Sequence, residues 1–236
     1  MNKKCLDLFS GTGSFSEAFK RSREWQVTEV DLNERDLDVI SPDIQENILN
    51  LSAKNLPDAD VVLASPPCKA FSLAAAHVHM TKDVKPKSEF GKESIKLVKK
   101  TIDLIDNIQP EFYFIENPRA GMRRLMRRKE WALGEPEGTV SWCQYGSNCM
   151  KPTDFWGRHP KSFKYRMCSN GESCHESASR GSRTGIQGID TDVKRGAIPY
   201  ALSLSILEAV ERDIQFIKGT DECNVIRNNS NGIFDY

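Results

Sequence analysis

The chain has 236 residues, 39% of them hydrophobic, with 33 basic and 33 acidic side chains and a formal net charge of zero. That length supports one sizeable core with a small appendage, and the charge balance excludes whole-molecule attraction as the means of capturing nucleic acid. No apolar run approaches the roughly 20 residues that span a bilayer, the N-terminal Met-Asn-Lys-Lys-Cys has no secretory apolar stretch, and the seven cysteines fit a reducing compartment; the expectation is a cytoplasmic protein with no membrane partner.

Cys5-Leu6-Asp7-Leu8-Phe9 reads as a short buried strand, and Ser10-Gly11-Thr12-Gly13-Ser14 follows as a turn opening a helix. Small residues let the backbone approach a ligand, and the helix start offers free N–H groups. The turn has neither the Gly-Lys-Ser/Thr of a phosphate-gripping loop nor the third glycine of the dinucleotide fingerprint. A second strand over residues 26–30 ends in Glu29 and Asp31, and either carboxylate can hold the two hydroxyls of a ribose there.

The run Val61-Val62-Leu63-Ala64 predicts a buried strand that Ser65-Pro66-Pro67-Cys68 stops, because proline cannot donate a ladder hydrogen bond. The Cys68 thiol is then held on a stiff turn at the strand's C-terminal end, the edge where open α/β sheets bind ligands. Residues 74–91 are polar and aperiodic, with His77, His79, Lys82, Lys85 and Lys87, which predicts a mobile lid whose histidines are surface groups. Ile95, Val98, Ile102 and Ile105 mark one face of a helix. Phe112-Tyr113-Phe114-Ile115 then delivers Glu116, Asn117 and Pro118 to the sheet edge shared with Cys68. Arg119, Arg123, Arg124, Arg127, Arg128 and Lys129 follow at once and read as a phosphate clamp.

Alternating strands and helices predict a doubly wound, mostly parallel α/β sheet. An amphipathic helix over residues 202–217 packs back on it, and residues 221–236 read as a polar tail. Residues 159–194 are rich in Ser, Gly, Arg and Cys and too few to hold a core of their own without a staple. Cys143, Cys149, Cys168 and Cys174, with His159 and His175 close in sequence, offer a zinc set. Their spacing departs from the usual knuckles, so free surface cysteines are the preferred reading.

In this order the motifs resemble the cytosine-C5 DNA methyltransferase family, which uses S-adenosylmethionine. Asp7-Leu8-Phe9-Ser10-Gly11-Thr12-Gly13-Ser14-Phe15 is similar to its cofactor motif, Ser65-Pro66-Pro67-Cys68 with Phe71-Ser72 to its nucleophile motif, and Glu116-Asn117-Pro118 to its Glu-Asn-Val/Pro motif. Tyr145-Gly146 followed by Lys151 matches the block where the family carries Tyr-Gly-x-Pro-Gln-x-Arg, with lysine supplying the cation but not arginine's planar fork. The Cys-x-Tyr-Gly and Lys-Pro-Thr phrasing of residues 143–153 is closest to small phage-borne members.

The resemblance implies a Rossmann-like methyltransferase fold with a catalytic and cofactor-binding core over residues 1–158. A very small target-recognition insert over 159–194, a returning helix over 195–220 and a tail follow. It implies Cys68 as nucleophile with Glu116 and Lys151 beside the base, and S-adenosylmethionine held by Asp7, Phe9, Gly11, Thr12, Gly13, Ser14 and Pro67, with Glu29 or Asp31 on the ribose. The family's adenine-contacting Asp-Ile falls on Asn47-Ile48 when the spacing to Cys68 is kept, and Asp43-Ile44 is the alternative. Its terminal Gly-Asn-Ser-Val is replaced by Ile198-Pro199-Tyr200-Ala201. Ser72 and the five arginines would contact double-stranded DNA. The implied activity is methyl transfer to C5 of a flipped-out cytosine by a monomer, in a host cytoplasm if the protein is phage-encoded. A tRNA cytosine substrate is the alternative, and a catalytically silent DNA-binding relative is opposed by the intact Cys68 and Glu116. So small an insert implies a short target of about two to four base pairs.

Overall fold

The computed structural model describes residues 2–32, 41–72, 75–131, 133–169, 171–176 and 196–230. Their strands are β1 (Lys3–Leu8), β2 (Trp25–Asp31), β3 (Ile44–Gln45), β4 (Val61–Ala64), β5 (Phe112–Pro118), β6 (Gly138–Ser141) and β7 (Pro152–Arg158). The helices are α1 (Glu17–Arg21), α2 (Ala76–His79), α3 (Glu89–Ile108), α4 (Gly121–Met126) and α5 (Tyr200–Ser230). The strands form one seven-stranded sheet in the order β3-β2-β1-β4-β5-β7-β6. β1 to β5 pair in parallel, while β7 runs antiparallel to both β5 and β6. The sheet is therefore doubly wound and mostly parallel, a Rossmann-like α/β fold, as the alternating pattern predicts.

Strand residues alternate between the two faces, and both faces are buried. Leu6, Leu8, Val62, Ala64, Ile115 and Trp156 enter one core with Val98, Leu104 and Ile105 of α3 and Met122, Leu125 and Met126 of α4. Cys5, Val61, Leu63, Phe112, Phe114 and Phe155 enter the other with Ala18 and Phe19 of α1 and Leu202, Ile206 and Val210 of α5. The chain winds outward from β1 through β2 to β3, then returns to lay β4 on the other side of β1. The loops leaving β1 and β4 thus diverge and open a crevice at this switch point, where doubly wound sheets bind ligands.

Three segments differ from the sequence expectation. The buried face of α3 is Gly91, Ser94, Val98, Thr101, Leu104 and Ile105, whereas Ile95 and Ile102 are only partly buried. A Cβ at Gly91 would strike the His79 carbonyl. The close approach of the preceding segment thus selects small residues over apolar ones, and the Ser94 and Thr101 hydroxyls donate to Phe90 O and Leu97 O.

That preceding segment is not a structureless lid in this state. Met80 and Val84 are 4% and 2% exposed within the core, Lys87 N donates to His79 O at 2.8 Å, and Ser88 caps α3. His77 and His79 belong to its surface turn, with His79 against the Ser88 hydroxyl.

The described start of the insert is continuous with the core. His159 stacks on Phe114 with ring centroids 4.1 Å apart, Phe163 and Tyr165 pack edge-on, and the Tyr145 hydroxyl donates to Lys164 O. His159, buried among these rings, has its pKa pushed down to about 4 by burial, so it packs as a neutral ring. Residues 221–230 of the expected tail continue α5; residues 177–195 and 231–236 lie outside the described residues. No described helix is long and apolar enough to cross a membrane.

Gly157 tests the pairing of β5 with β7. It sits in β7 at φ +143°, and a Cβ there would collide with the Tyr113 carbonyl of β5. Gly157→Ala is expected to cost on the order of 3 kcal/mol, combining backbone strain and overpacking. Gly134→Ala, at φ +65° in open space, should cost only about 1 kcal/mol. Urea midpoints at constant m distinguish the two.

Candidate active site

The loop leaving β4 carries Ser65, Pro66, Pro67 and Cys68. Ser65 N donates to Leu8 O at 3.1 Å, tying the loop to β1. From the other side Asn117 Nδ2 donates to Pro66 O at 2.9 Å, tying it to the tip of β5. After Cys68 the chain turns tightly, with Phe71 N and Ser72 N both donating to Cys68 O at 2.9 Å, and Gly121 N of α4 donates to Phe71 O. Cys68 is half-buried on this brace.

Glu116 reaches the same place from β5 and Lys151 from the turn before β7, 7% and 6% exposed. Burial raises the Glu116 pKa above the ordinary carboxylate value, the Lys151 ammonium and the neighbouring Ser65 hydroxyl oppose the rise, and Asp154 adds to it. Burial lowers the Lys151 pKa, while Glu116, Cys68 and Cys149 in that order pull it back up. Lys151 thus links Glu116 and Cys68 into one group. The Lys151 Nζ lies 3.4 Å from the centre of the Trp142 ring, whose face favours a cation. Lys151 itself adopts φ +23°, a left-handed backbone imposed just ahead of Pro152. Glu116 Oε1 and Asn117 Oδ1 are buried with no hydrogen-bond partner among the described residues, which leaves polar capacity at the tip of β5 for a bound group.

A cleft of about 280 Å³ occupies the switch point. Phe9, Val30, Leu32, Ile48, Pro67 and Leu97 give it apolar walls; Asp31, Glu46, Glu93, Asn47 and Ser65 supply polar groups. Phe9 follows β1 at φ +61°. Of the expected cofactor residues, Phe9, Asp31, Asn47, Ile48 and Pro67 line this cleft. Gly11 holds it indirectly, its N–H donating to Asp31 Oδ2 at 2.8 Å. Thr12 and Gly13 continue that turn, with Gly13 N on Ser10 O.

The cleft also separates the alternatives left by the sequence. Glu29 faces α1, where Lys20 Nζ pairs with it at 3.0 Å, and of the two carboxylates it is Asp31 that lines the cleft. Asp43 is engaged by Glu29 N, and Asn47-Ile48 is the pair that reaches the cleft. Asp7 is likewise a packing residue, 0% exposed and accepting from Ser16 Oγ at 2.7 Å. Ser14 Oγ accepts from Ile198 N at 2.9 Å, and Ser203 Oγ donates to Phe15 O; the segment replacing Gly-Asn-Ser-Val therefore does close against the glycine turn. The sequence analysis missed Glu46, Glu93 and Leu97. The four-residue spacing of Glu93 and Leu97 on α3 was the only signal for that pair.

The basic cluster is divided. Arg123 is no phosphate clamp: its Nε and Nη2 grip Asp154, which is 0% exposed, and Nη2 also donates to Thr139 Oγ1. Arg127 pairs with Glu135, Arg128 with Glu130, and Arg124 donates to Lys82 O. Arg119 is exposed, with no side-chain partner among the described residues. Ser72 Oγ is engaged locally, donating to Lys69 O and accepting from Ala75 N. Among the cysteines, Cys143, Cys168 and Cys174 converge with His175, and Cys149 stands outside that group.

A sequence model of the C-5 cytosine-specific DNA methylase family matches residues 3–129. The "Probable DNA (cytosine-5)-methyltransferase" of Frog virus 3 is 31% identical over 178 residues, covering 72% of this chain and 77% of that one. The type II methyltransferase M1.HphI of Haemophilus parahaemolyticus is 33% identical over 129 residues, 50% of this chain and 32% of its own. The solved structure of the Entamoeba histolytica methyltransferase EhMeth aligns with a TM-score of 0.47 at 15% identity, over 72% of this chain and 57% of that one. The chain belongs to the C-5 cytosine-specific DNA methylase family and is an enzyme of the DNA (cytosine-5)-methyltransferase class.

Arg123→Ala would strand the fully buried Asp154 carboxylate and is expected to destabilise the fold by about 3–5 kcal/mol. Removing both charges in Arg123→Met/Asp154→Leu should restore much of that loss. A single variant as stable as wild type in urea would refute the structural role.

Proposed function

We propose that this chain transfers a methyl group from S-adenosylmethionine to C5 of a cytosine flipped out of double-stranded DNA, through a covalent adduct with Cys68. The observation that carries this reading is the loop over residues 65–68. It supplies Ser65 and Pro67 to the switch-point cleft and, on the same short stretch, Cys68 to the group containing Glu116 and Lys151.

The cleft suits this cofactor better than a phosphate-bearing one. Asp31, Glu46 and Glu93 line it without a lysine, arginine or histidine, so phosphates would meet like charge while a sulfonium cation would be favoured. Asp31, fixed by Gly11, is the ribose carboxylate in this reading, and Asn47 and Ile48 flank the adenine. When bound, S-adenosylmethionine supplies an electrophilic methyl.

The protein's own residues do the rest. Cytosine C5 is a poor nucleophile until a group adds to C6, and the Cys68 thiolate is that group. As the C6–S bond forms, electron density moves onto the ring. Glu116, in the acid form that burial favours, donates to N3 and accepts from the exocyclic amine, and the Lys151 ammonium offsets charge at O2. C5 then attacks the methyl carbon as its bond to the sulfonium sulfur breaks and the donor departs as a neutral thioether; a base acting through water removes the C5 proton, and the pair left behind expels Cys68. Arg119, exposed beside the tip of β5, is the arginine best placed for a phosphate. The family model, of DNA methylases, and the name of the Frog virus 3 relative, a DNA (cytosine-5)-methyltransferase, support DNA over tRNA.

Cys68→Ser should lose methyl transfer while retaining S-adenosylmethionine binding by calorimetry, and only wild type should be trapped on duplex DNA containing 5-fluorocytosine. Trapping by Cys68→Ser at the wild-type level would end the assignment. Methylation of tRNA in place of duplex DNA would overturn the substrate and leave the chemistry standing.

The pH dependence follows from the Glu116–Lys151 pair. With the acid form of Glu116 active and its pKa raised, kcat/KM should fall as pH rises through that value. Lys151→Gln removes the cation that holds the pKa down, so the falling limb should move to higher pH. Movement to lower pH would contradict the pairing.

A further inference from the structure

We propose that Cys143, Cys168, Cys174 and His175 form a tetrahedral structural zinc site that fastens the target-recognition insert to the catalytic core. The four ligand atoms all lie within 4.8 Å of one another. Cys174 Sγ is 3.2 Å from Cys168 Sγ and 3.6 Å from Cys143 Sγ; His175 Nδ1 is 3.5 Å from Cys168 Sγ and 3.6 Å from Cys174 Sγ. A tetrahedron with Zn–S of about 2.3 Å and Zn–N of about 2.0 Å places its sulfurs about 3.8 Å apart and sulfur and nitrogen about 3.5 Å apart. His175 Nδ1 stands at the tetrahedral distance from Cys168 and Cys174, and the two sulfur pairs at 3.2 and 3.6 Å are close enough that a small outward shift would admit the ion. The three cysteines are free thiols, so no disulfide accounts for their convergence.

Packing does not account for it either. The only apolar cluster here contains Cys143, Cys168 and Met150, and Cys174 is exposed, so burial of apolar surface is too small to draw these side chains together. Gln144 Nε2 donates to Cys174 Sγ at 3.3 Å, the kind of outer contact that offsets charge on a metal-bound thiolate. Three thiolates and one imidazole make a closed, soft set without an open position, which selects zinc in a structural role. Binding releases the three thiol protons, including the one Cys168 directs at Ser169 O. The neutral imidazole ligates through Nδ1 and keeps its proton on Nε2.

The site joins three stretches: Cys143 lies on the turn after β6, Cys168 on a segment tied to that turn by Cys168 N on Ser141 Oγ and Ser141 N on Arg166 O, and Cys174 and His175 on the stretch beyond, held by Glu176 N on Asn148 O. Trp142, next to Cys143, donates its N–H to Met150 O and lies beneath Lys151. One metal would therefore anchor both the insert and the turn that delivers the catalytic lysine.

The test uses the full chain, expressed with zinc and passed over chelating resin before elemental analysis. One zinc per chain is expected, and replacement by cobalt should give the visible bands of a tetrahedral, thiolate-rich site. Cys149→Ser should keep the metal, Cys168→Ser should lose it, and His175→Cys should keep it with the cobalt spectrum moved to that of four sulfurs. If Cys168→Ser does not fold, wild-type stoichiometry and the His175→Cys spectrum still decide. Folded wild type with less than a tenth of an equivalent of zinc, iron in its place, or metal loss in Cys149→Ser would each overturn the proposal. None of these readouts depends on methyl transfer, so the site and the proposed reaction fail separately.

Discussion

β4 is four residues long, buried on both faces and hydrogen-bonded along both edges, to β1 on one side and β5 on the other. A strand so confined has no freedom of register or tilt, and the loop that leaves it inherits that rigidity. Two prolines, the bond from Ser65 N to Leu8 O and the bond from Asn117 Nδ2 to Pro66 O extend the constraint to Cys68. The cleft at the switch point, the position of the thiol and its distance from the tip of β5 are all consequences of where β4 pairs.

The second requirement is electrostatic. Glu116 and Lys151 are both removed from water, and each alone would be costly to keep charged there. With Cys68 and the face of Trp142 beside Lys151 they form a small polar island in which Glu116 and Lys151 shift each other's protonation. The antiparallel pair β6–β7 makes this possible by bringing Lys151 back to the sheet edge reached by Glu116. That pair is held in turn by the Arg123–Asp154–Thr139 network and by the aromatic wedge of Phe114, His159 and Phe163. An arginine that looks like a DNA contact is in fact part of the scaffold behind Lys151.

The charge distribution divides the two ligand surfaces. Carboxylates line the cleft assigned to a cationic nucleoside, while the exposed Arg119 stands at the tip of β5 beside the proposed base-binding group. With net charge zero, this local separation of signs, rather than overall attraction, has to orient both ligands.

Cys68 on its Pro-Pro turn, Glu116 at a strand tip and the glycine turn were legible in the sequence. Each is specified by neighbours within a few residues: an apolar run, a proline that cannot donate, a glycine that tolerates positive φ. The placing of Asp31, Asn47, Ile48, Glu93 and Leu97 on the cleft with Glu29 and Asp43 turned elsewhere, the loss of Arg123 to Asp154 and the replacement of Cys149 by His175 in the thiol cluster were decided only by the tertiary structure. In each case, the deciding contact joins residues far apart in the chain, or depends on which face of an element a side chain occupies. Local sequence specifies which groups are present at a strand's end; only the packed sheet determines which of them share a site.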